Sequence, residues 1–220
     1  MYLVKTPRFL ESLLPNFTWN IKTEEKVLYL TFDDGPIPEV TPWVLEQLAE
    51  YNAKATFFCV GDNVHKHPSV FQQVLAEGHS VGNHSYNHLS GWNTDNIPFF
   101  HNIRHCAHLV NSGLFRPPYG RLTPSQTQFL TRHYSIVMWD VLSGDFDVNL
   151  SKETVFENVI LSAKRGSIVV FHDSLKAFDR LEYALPRILE HFTEKGYRFE
   201  SLNGVVQKLE RKKFMAAAAL

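Results

Sequence analysis

The sequence predicts a single-domain α/β protein, a distorted (β/α) barrel of about seven parallel strands. Short apolar runs alternate with amphipathic stretches along the chain, which is typical of strands joined by helices in a parallel sheet. About seven such units within 220 residues favour a closed or nearly closed barrel over an open sheet. No glycine-rich dinucleotide fingerprint follows the first predicted strand, which disfavours a Rossmann fold.

The strands are predicted from apolar or β-branched runs that are too short to be helices. The first is VLYLTF, and its uninterrupted hydrophobicity is typical of a buried parallel strand. In chain order, the predicted strands cover 27–32, 55–61, 79–84, 114–116, 135–140, 167–171 and 197–202.

The helices between the strands are predicted from their start and stop signals and from apolar residues that recur on one face. A helix start is marked by a nearby proline or by Ser or Thr as a cap, and a helix end by glycine after the last turn. The predicted helices run from Thr41 to Tyr51, from Pro68 to Gly78, over 96–111, from Thr123 to Arg132, from Ser151 to Gly166 and over 183–195.

The domain is expected to cover residues 25–210. Residues 1–24 are predicted to be an N-terminal extension packed on the barrel, and 211–220 a C-terminal tail or cloning remnant. Cys59 and Cys106 lie in apolar stretches and are expected to be buried thiols.

Charge and hydropathy exclude several classes of function. Lys and Arg total 22 against 23 for Asp and Glu, so nothing indicates a nucleic-acid partner. No apolar run approaches the roughly 20 residues of a transmembrane helix. The first residues lack the apolar core and cleavage site of a signal peptide, so a cytoplasmic location is expected.

Polar residues gather directly after five of the predicted strands. The loops after parallel barrel strands emerge on one face, where barrel enzymes build their sites. Chance would scatter such residues over both ends, so the clustering predicts a functional site. In chain order these residues are Asp33 and Asp34, His84 and His88, Arg116 and Tyr119, Asp145, and His172 and Asp173.

The histidines and the paired carboxylates indicate metal chemistry. His84 and His88 are four residues apart, so both imidazoles can face one point. With one carboxylate they form a three-ligand set that suits catalytic zinc or the iron(II) of an oxygenase. The second carboxylate of the Asp33–Asp34 pair can then serve as a general base. His172 is the candidate general acid, because a carboxylate such as Asp145 would keep it protonated.

Five motifs, TFDDGP, HSYNH, RPPYG, SGDF and VVFHD, occur in this order. The set resembles the motifs of the polysaccharide deacetylases, carbohydrate esterase family 4, over residues 25–205. The resemblance implies a distorted (β/α) barrel that removes N-acetyl groups from N-acetylglucosamine polymers, or O-acetyl groups from xylan. It also implies an acetylated saccharide as partner and Zn²⁺ as cofactor, with Co²⁺, Ni²⁺ or another divalent ion as alternatives.

The resemblance also assigns roles to the clustered residues. Asp33 would be the general base, His172 the general acid, and Asp34, His84 and His88 the metal ligands. Arg116 would hold Asp33, Asp145 would orient His172, and the backbone N–H of Tyr119 would help to bind the oxyanion.

Two positions depart from the family pattern. Phe146 stands where the family usually has Trp, and Val170 where it usually has Leu. In the family these side chains wall the acetyl pocket, so the pocket is expected to stay apolar with an altered shape. The natural saccharide therefore stays open, as does the oligomeric state. Trp92 is expected either to stack on a sugar ring or to anchor its loop.

Two other classes of function remain as alternatives. An iron(II) oxygenase could use the same three ligands, but Asp33 and His172 would then have no purpose. A non-catalytic saccharide-binding protein could also use a barrel scaffold, although every catalytic position of the motifs is retained.

Overall fold

The fold consists of β-strands that alternate with α-helices along the chain. A computed structural model describes residues 2–202 and 204–206. In this part of the chain the strands are β1 (Phe17–Thr18), β2 (Val27–Asp33), β3 (Thr56–Cys59), β4 (Ser80–Asn83), β5 (Leu114–Phe115), β6 (Ser135–Val137), β7 (Val141–Leu142), β8 (Ile168–His172) and β9 (Arg198–Phe199). The helices are α1 (Arg8–Leu13), α2 (Thr41–Glu50), α3 (Gly61–Lys66), α4 (Pro68–Ala76), α5 (Asn96–Ala107), α6 (Pro124–Leu130), α7 (Lys152–Ser162) and α8 (Leu175–Glu194).

The strands form one curled sheet in the order β1-β6-β5-β4-β3-β2-β8-β7, and β9 pairs with the start of β2. Every strand pair is parallel. The predicted distorted α/β barrel is therefore confirmed. Within the described residues the two end strands, β1 and β7, do not pair with each other, so the sheet is an incomplete barrel rather than a closed one.

Strand β2 shows how the core is divided. Leu28, Leu30 and Phe32 belong to a buried cluster shared with the outer helices, including Leu185 of α8. The residues between them point the other way, into the barrel, where Tyr29 packs in a second cluster. By the same alternation, the side chain of Asp33, the last residue of β2, points into the barrel at the mouth formed by the carboxyl ends of the strands.

Several predicted boundaries were wrong. The last helix begins at Leu175 instead of 183, because Ala177 and Leu181 continue its buried face. The predicted strand 135–140 ends at Val137, because the carbonyls of Val137 and Met138 accept hydrogen bonds from Arg116.

Short elements were missed altogether. Strand β1 lies in the predicted N-terminal extension and pairs with β6, and β7 extends the opposite end of the sheet. Helix α3 replaces the end of the predicted strand 55–61. The predicted tail, 211–220, lies outside the described residues.

Other expectations can be compared directly. Cys59 and Cys106 are free and buried, as predicted. Among the described residues, no helix combines the length and the apolar character that crossing a bilayer requires.

Candidate active site

The turn that ends β2 presents both adjacent carboxylates to one cavity. Asp33 is the last residue of the strand and is buried. Asp34 has φ +86°, a left-handed conformation that an Asp tolerates better than most residues. Since side chains alternate along a strand, this change of direction is what lets Asp34 face the same space as Asp33. The strained turn thus places two acids around one point.

The next residue, Gly35, packs directly on a buried carboxylate. Its N–H donates to Asp173 Oδ1 at 3.0 Å, and the hydroxyl of Thr41 donates to Oδ2 at 2.6 Å. A Cβ at position 35 would lie 1.9 Å from Asp173 Oδ2, so only glycine fits. The turn therefore rests on Asp173.

Asp34, His84 and His88 come together as a ligand cluster. Asp34 Oδ1 lies 3.9 Å from His84 Nε2 and 3.3 Å from His88 Nε2. One ligand atom from each residue lies within 4.8 Å of the others, close to the spacing of ligand atoms that each lie about 2.0–2.2 Å from one divalent ion. A carboxylate and two imidazoles suit zinc, and three protein ligands leave a coordination position open.

The hydrogen bonds behind the histidines keep the inner nitrogens available. His84 Nδ1 lies 2.8 Å from the backbone oxygen of Arg116; a carbonyl only accepts, so Nδ1 carries the proton and Nε2 keeps its lone pair. Burial lowers the pKa of His84 to about 4, against the opposing influence of Asp33. The imidazole is therefore neutral near pH 7. His88 Nδ1 lies 3.2 Å from the hydroxyl of Tyr119.

Asp33 forms a buried ion pair with Arg116. Arg116 Nη1 lies 2.7 Å from Asp33 Oδ1 and donates to the Thr31 hydroxyl at 2.8 Å. The guanidinium also lies 4.1 Å above the ring of Phe58. Burial alone would raise the pKa of Asp33, but the charge of Arg116, together with that of His172, outweighs it and lowers the pKa. Asp33 is therefore ionised at neutral pH.

His172 is held by Asp145 on the opposite side of the site. Its Nδ1 lies 2.8 Å from Asp145 Oδ1, and its backbone N–H donates to Oδ2 at 2.7 Å. Burial alone would lower the pKa of His172, but Asp145 opposes it strongly, and the pKa rises to about 9. His172 is therefore protonated at neutral pH and can donate a proton.

The predicted site residues surround one cavity of about 520 Å³. Those that line it are Asp33, Asp34, His84, His88, Tyr119, Phe146, Val170 and His172. Arg116 and Asp145 lie behind this wall, each in contact with an aspartate or histidine of the lining. Another cavity, of about 560 Å³, lies beside α1 and contains none of the predicted site residues.

Three supporting residues were missed from the sequence. Thr31 lies two positions before Asp33, and strand alternation could have placed it on the same face. The guanidinium of Arg180 in α8 donates from Nε to the backbone oxygen of Asp145 at 2.6 Å. Tyr2 also lines the cavity. No local pattern indicates the last two, because each contact spans a long stretch of chain.

Comparisons with known proteins identify the family to which the chain is similar. A family model described as polysaccharide deacetylase matches residues 20–134. A peptidoglycan-N-acetylglucosamine deacetylase of Bacillus cereus is 34% identical over 197 residues, which cover 86% of this chain and 92% of that protein. A chitooligosaccharide deacetylase of Azorhizobium caulinodans is 34% identical over 164 residues, or 70% of this chain and 76% of that protein.

A solved structure shows the same fold. The crystal structure of the Bc1960 peptidoglycan N-acetylglucosamine deacetylase, in complex with 4-naphthalen-1-yl-N-oxidanyl-benzamide, has a TM-score of 0.84 and 30% sequence identity to this chain. The match covers 92% of this chain and 97% of that one. The likeness therefore extends over nearly the whole curled sheet and its helices.

Proposed function

The chain belongs to the polysaccharide deacetylase family, and from this membership we propose that it is a metal-dependent hydrolase of acetylated saccharides. The preferred reaction is removal of the N-acetyl group from an N-acetylglucosamine-containing saccharide. One observation carries the proposal: an ionised aspartate, a three-ligand cluster and a protonated histidine face the same cavity.

Asp34, His84 and His88 would hold the metal, with Zn²⁺ as the first choice and Co²⁺ or Ni²⁺ as alternatives. The chemistry that a divalent ion supplies here is Lewis acidity, which polarises an acyl carbonyl and makes water more acidic. The hydrogen bond between His84 and the backbone of Arg116 orients its imidazole for this role.

Asp33 takes the proton of the attacking water in the proposed reaction. The ion pair with Arg116 holds its carboxylate in place. The same ion pair lowers the pKa of Asp33 and so makes it a weaker base. In return, the carboxylate is ionised, and able to accept a proton, whenever substrate binds. The backbone N–H of Tyr119, on the cavity rim, would stabilise the tetrahedral oxyanion.

His172 protonates the departing amine. An amide nitrogen is a poor leaving group unless it gains a proton, and His172 carries that proton at neutral pH. Asp145 holds the ring by Nδ1, so Nε2 is left to face the substrate. An acid on one side of the cavity and a base on the other suits hydrolysis.

The size of the cavity and its rim suit a sugar bearing a small acyl group. Phe146 and Val170 give the wall next to His172 an apolar surface. Similar proteins carry the names peptidoglycan-N-acetylglucosamine deacetylase and chitooligosaccharide deacetylase, which favours N-acetylglucosamine over acetylated xylan. An O-acetyl esterase stays the second candidate, because the same groups would hydrolyse an ester.

Acetate release is the direct test. The protein, loaded with zinc or cobalt, is incubated with acetylated chito-oligosaccharides, peptidoglycan fragments and acetylated xylan, and free acetate is measured. We expect release from the N-acetylglucosamine substrates, and a fall of about 10²–10⁴-fold in Asp33→Asn with zinc content unchanged. No release from any acylated sugar despite bound metal would overturn the proposal. Iron-dependent oxygen consumption would favour the oxygenase instead.

A further inference from the structure

The segment of residues 2–6, here called the N-terminal strap, lies along the edge of the sheet at β7. The N–H of Leu142 donates to Val4 O at 2.8 Å, and that of Thr6 donates to Asp140 O at 2.9 Å. The strap runs antiparallel to β7, so its first residues lie at the carboxyl-end mouth of the barrel. It therefore extends the incomplete sheet and ends at the cavity.

Tyr2 connects the strap to the cavity wall. Its ring centroid lies 5.0 Å from that of Phe146, and the hydroxyl donates to Asp147 Oδ2 at 3.0 Å. Phe146 in turn packs edge-on against His172, with centroids 5.1 Å apart. Burial and the hydrogen bond to Asp147 raise the pKa of Tyr2 to about 12, so the phenol remains a donor at working pH.

The loop that Tyr2 contacts also carries Asp145, which holds His172. Tyr2 thus contacts this loop at two points, the ring of Phe146 and the carboxylate of Asp147. Gly144, with φ +84°, lies beneath the tyrosine, and a Cβ there would come within 3.1 Å of its hydroxyl oxygen. The close packing leaves this wall little freedom to move while Tyr2 is in place.

We propose that Tyr2 is a positioning and specificity-determining residue: it holds Phe146 against His172 and so limits the size of the acyl group that the cavity accepts. The inference rests on the proposed deacetylase function. A purely structural strap would instead stabilise the sheet edge and leave acyl selectivity unchanged, so the two roles differ in a measurable way.

The test compares Tyr2→Ala and Tyr2→Phe with Leu3→Ala, which alters a neighbouring strap residue that is 58% exposed. The zinc-loaded proteins are assayed on N-acetyl, N-propionyl and N-butyryl chito-oligosaccharides. In Tyr2→Ala we expect the propionyl-to-acetyl ratio of kcat/KM to rise about 10-fold, the scale of one methylene in a pocket. Tyr2→Phe keeps the ring and should keep the wild-type ratio while kcat falls. Leu3→Ala should match the wild type. An unchanged ratio in Tyr2→Ala, or an equal rise in Leu3→Ala, overturns the proposal.

A second measurement does not depend on activity. Amide hydrogen exchange of residues 144–147 is followed in the same variants. We expect faster exchange of these amides in both Tyr2→Ala and Tyr2→Phe. Tyr2→Phe loses only the hydrogen bond to Asp147, so it still tests whether Tyr2 holds the loop if Tyr2→Ala fails to fold. Unchanged exchange in Tyr2→Phe would overturn the proposal that Tyr2 holds this loop in place. If the wild type releases no acyl group, the proposed function fails, and the exchange data still decide whether Tyr2 holds the loop.

Discussion

Arg116 contacts Asp33 at 2.7 Å; Asp33 lines the cavity, and Arg116 is fully buried behind it. The same guanidinium donates to the carbonyls at the end of β6. One arginine therefore fixes the proposed base and also ends a strand of the sheet, so its loss is expected to affect both stability and catalysis.

We expect Arg116→Met to lower the free energy of unfolding by about 3–5 kcal/mol, because it leaves the Asp33 carboxylate buried without a partner. Urea denaturation of the metal-free protein measures the loss. Arg121→Met, at an exposed arginine on the cavity rim, is the matched control and should stay within about 0.5 kcal/mol of the wild type. A loss below about 1 kcal/mol in Arg116→Met would contradict the role assigned to the pair.

The pH profile of kcat/KM should report His172. Its raised pKa means that the proton-donating form is present below about pH 9 and is lost above it, so activity should fall on the alkaline side. Asp145→Asn removes the main influence that raises this pKa, and the alkaline limb should move to lower pH. Initial rates of acetate release between pH 5 and 10 give both profiles. An unmoved limb in Asp145→Asn would exclude His172 as the titrating acid.

Zinc should stabilise the folded protein, because the ligand cluster exists only when the chain is folded. At about 100 times the dissociation constant, the gain is about 2.7 kcal/mol, seen as a rise in Tm. Asp34→Ala removes one of three ligands and should abolish most of the shift. Asp62→Ala, which changes a carboxylate paired with Lys66, should keep it. Equal shifts in the two variants would place the zinc elsewhere.

Trp92 is expected to bind a sugar unit beyond the one being deacetylated. Its indole N–H donates to Leu122 O at 3.1 Å, yet the residue is 63% exposed, and its ring centroid lies 5.1 Å from the Arg121 guanidinium carbon. Trp92→Ala should raise KM for a chitopentaose roughly 2–10-fold and leave that for a disaccharide unchanged. Ile97→Ala, at another exposed apolar residue, is the control. An equal change in KM for the two substrates would show that Trp92 anchors its loop and does not bind a further sugar unit.

The sequence predicted those parts of the fold and of the site that depend on local patterns. The run at β2 showed a buried strand, and the polar residues after successive strands indicated a shared mouth, since parallel strands end on one face. The structure brings these residues around one cavity. Their chemical roles stay predictions until the variants are measured.

The rest could not be predicted because it depends on contacts between distant parts of the chain. Strands β1 and β7 have two residues each, too few to show a period. The end of β6 is decided by Arg116, about twenty positions earlier. The contact of Tyr2 with Asp147 spans 145 positions, and neither residue has a local signature for it.

The position of the N-terminal strap has a practical consequence for work with this enzyme. Tyr2 lines the cavity, so any affinity tag or fused protein joined ahead of it emerges beside the substrate entrance. Kinetic constants from such a fusion would mix the enzyme's own preference for saccharide length with steric obstruction by the added polypeptide. Substrate profiles are therefore best compared between preparations that differ only in the polypeptide ahead of Tyr2.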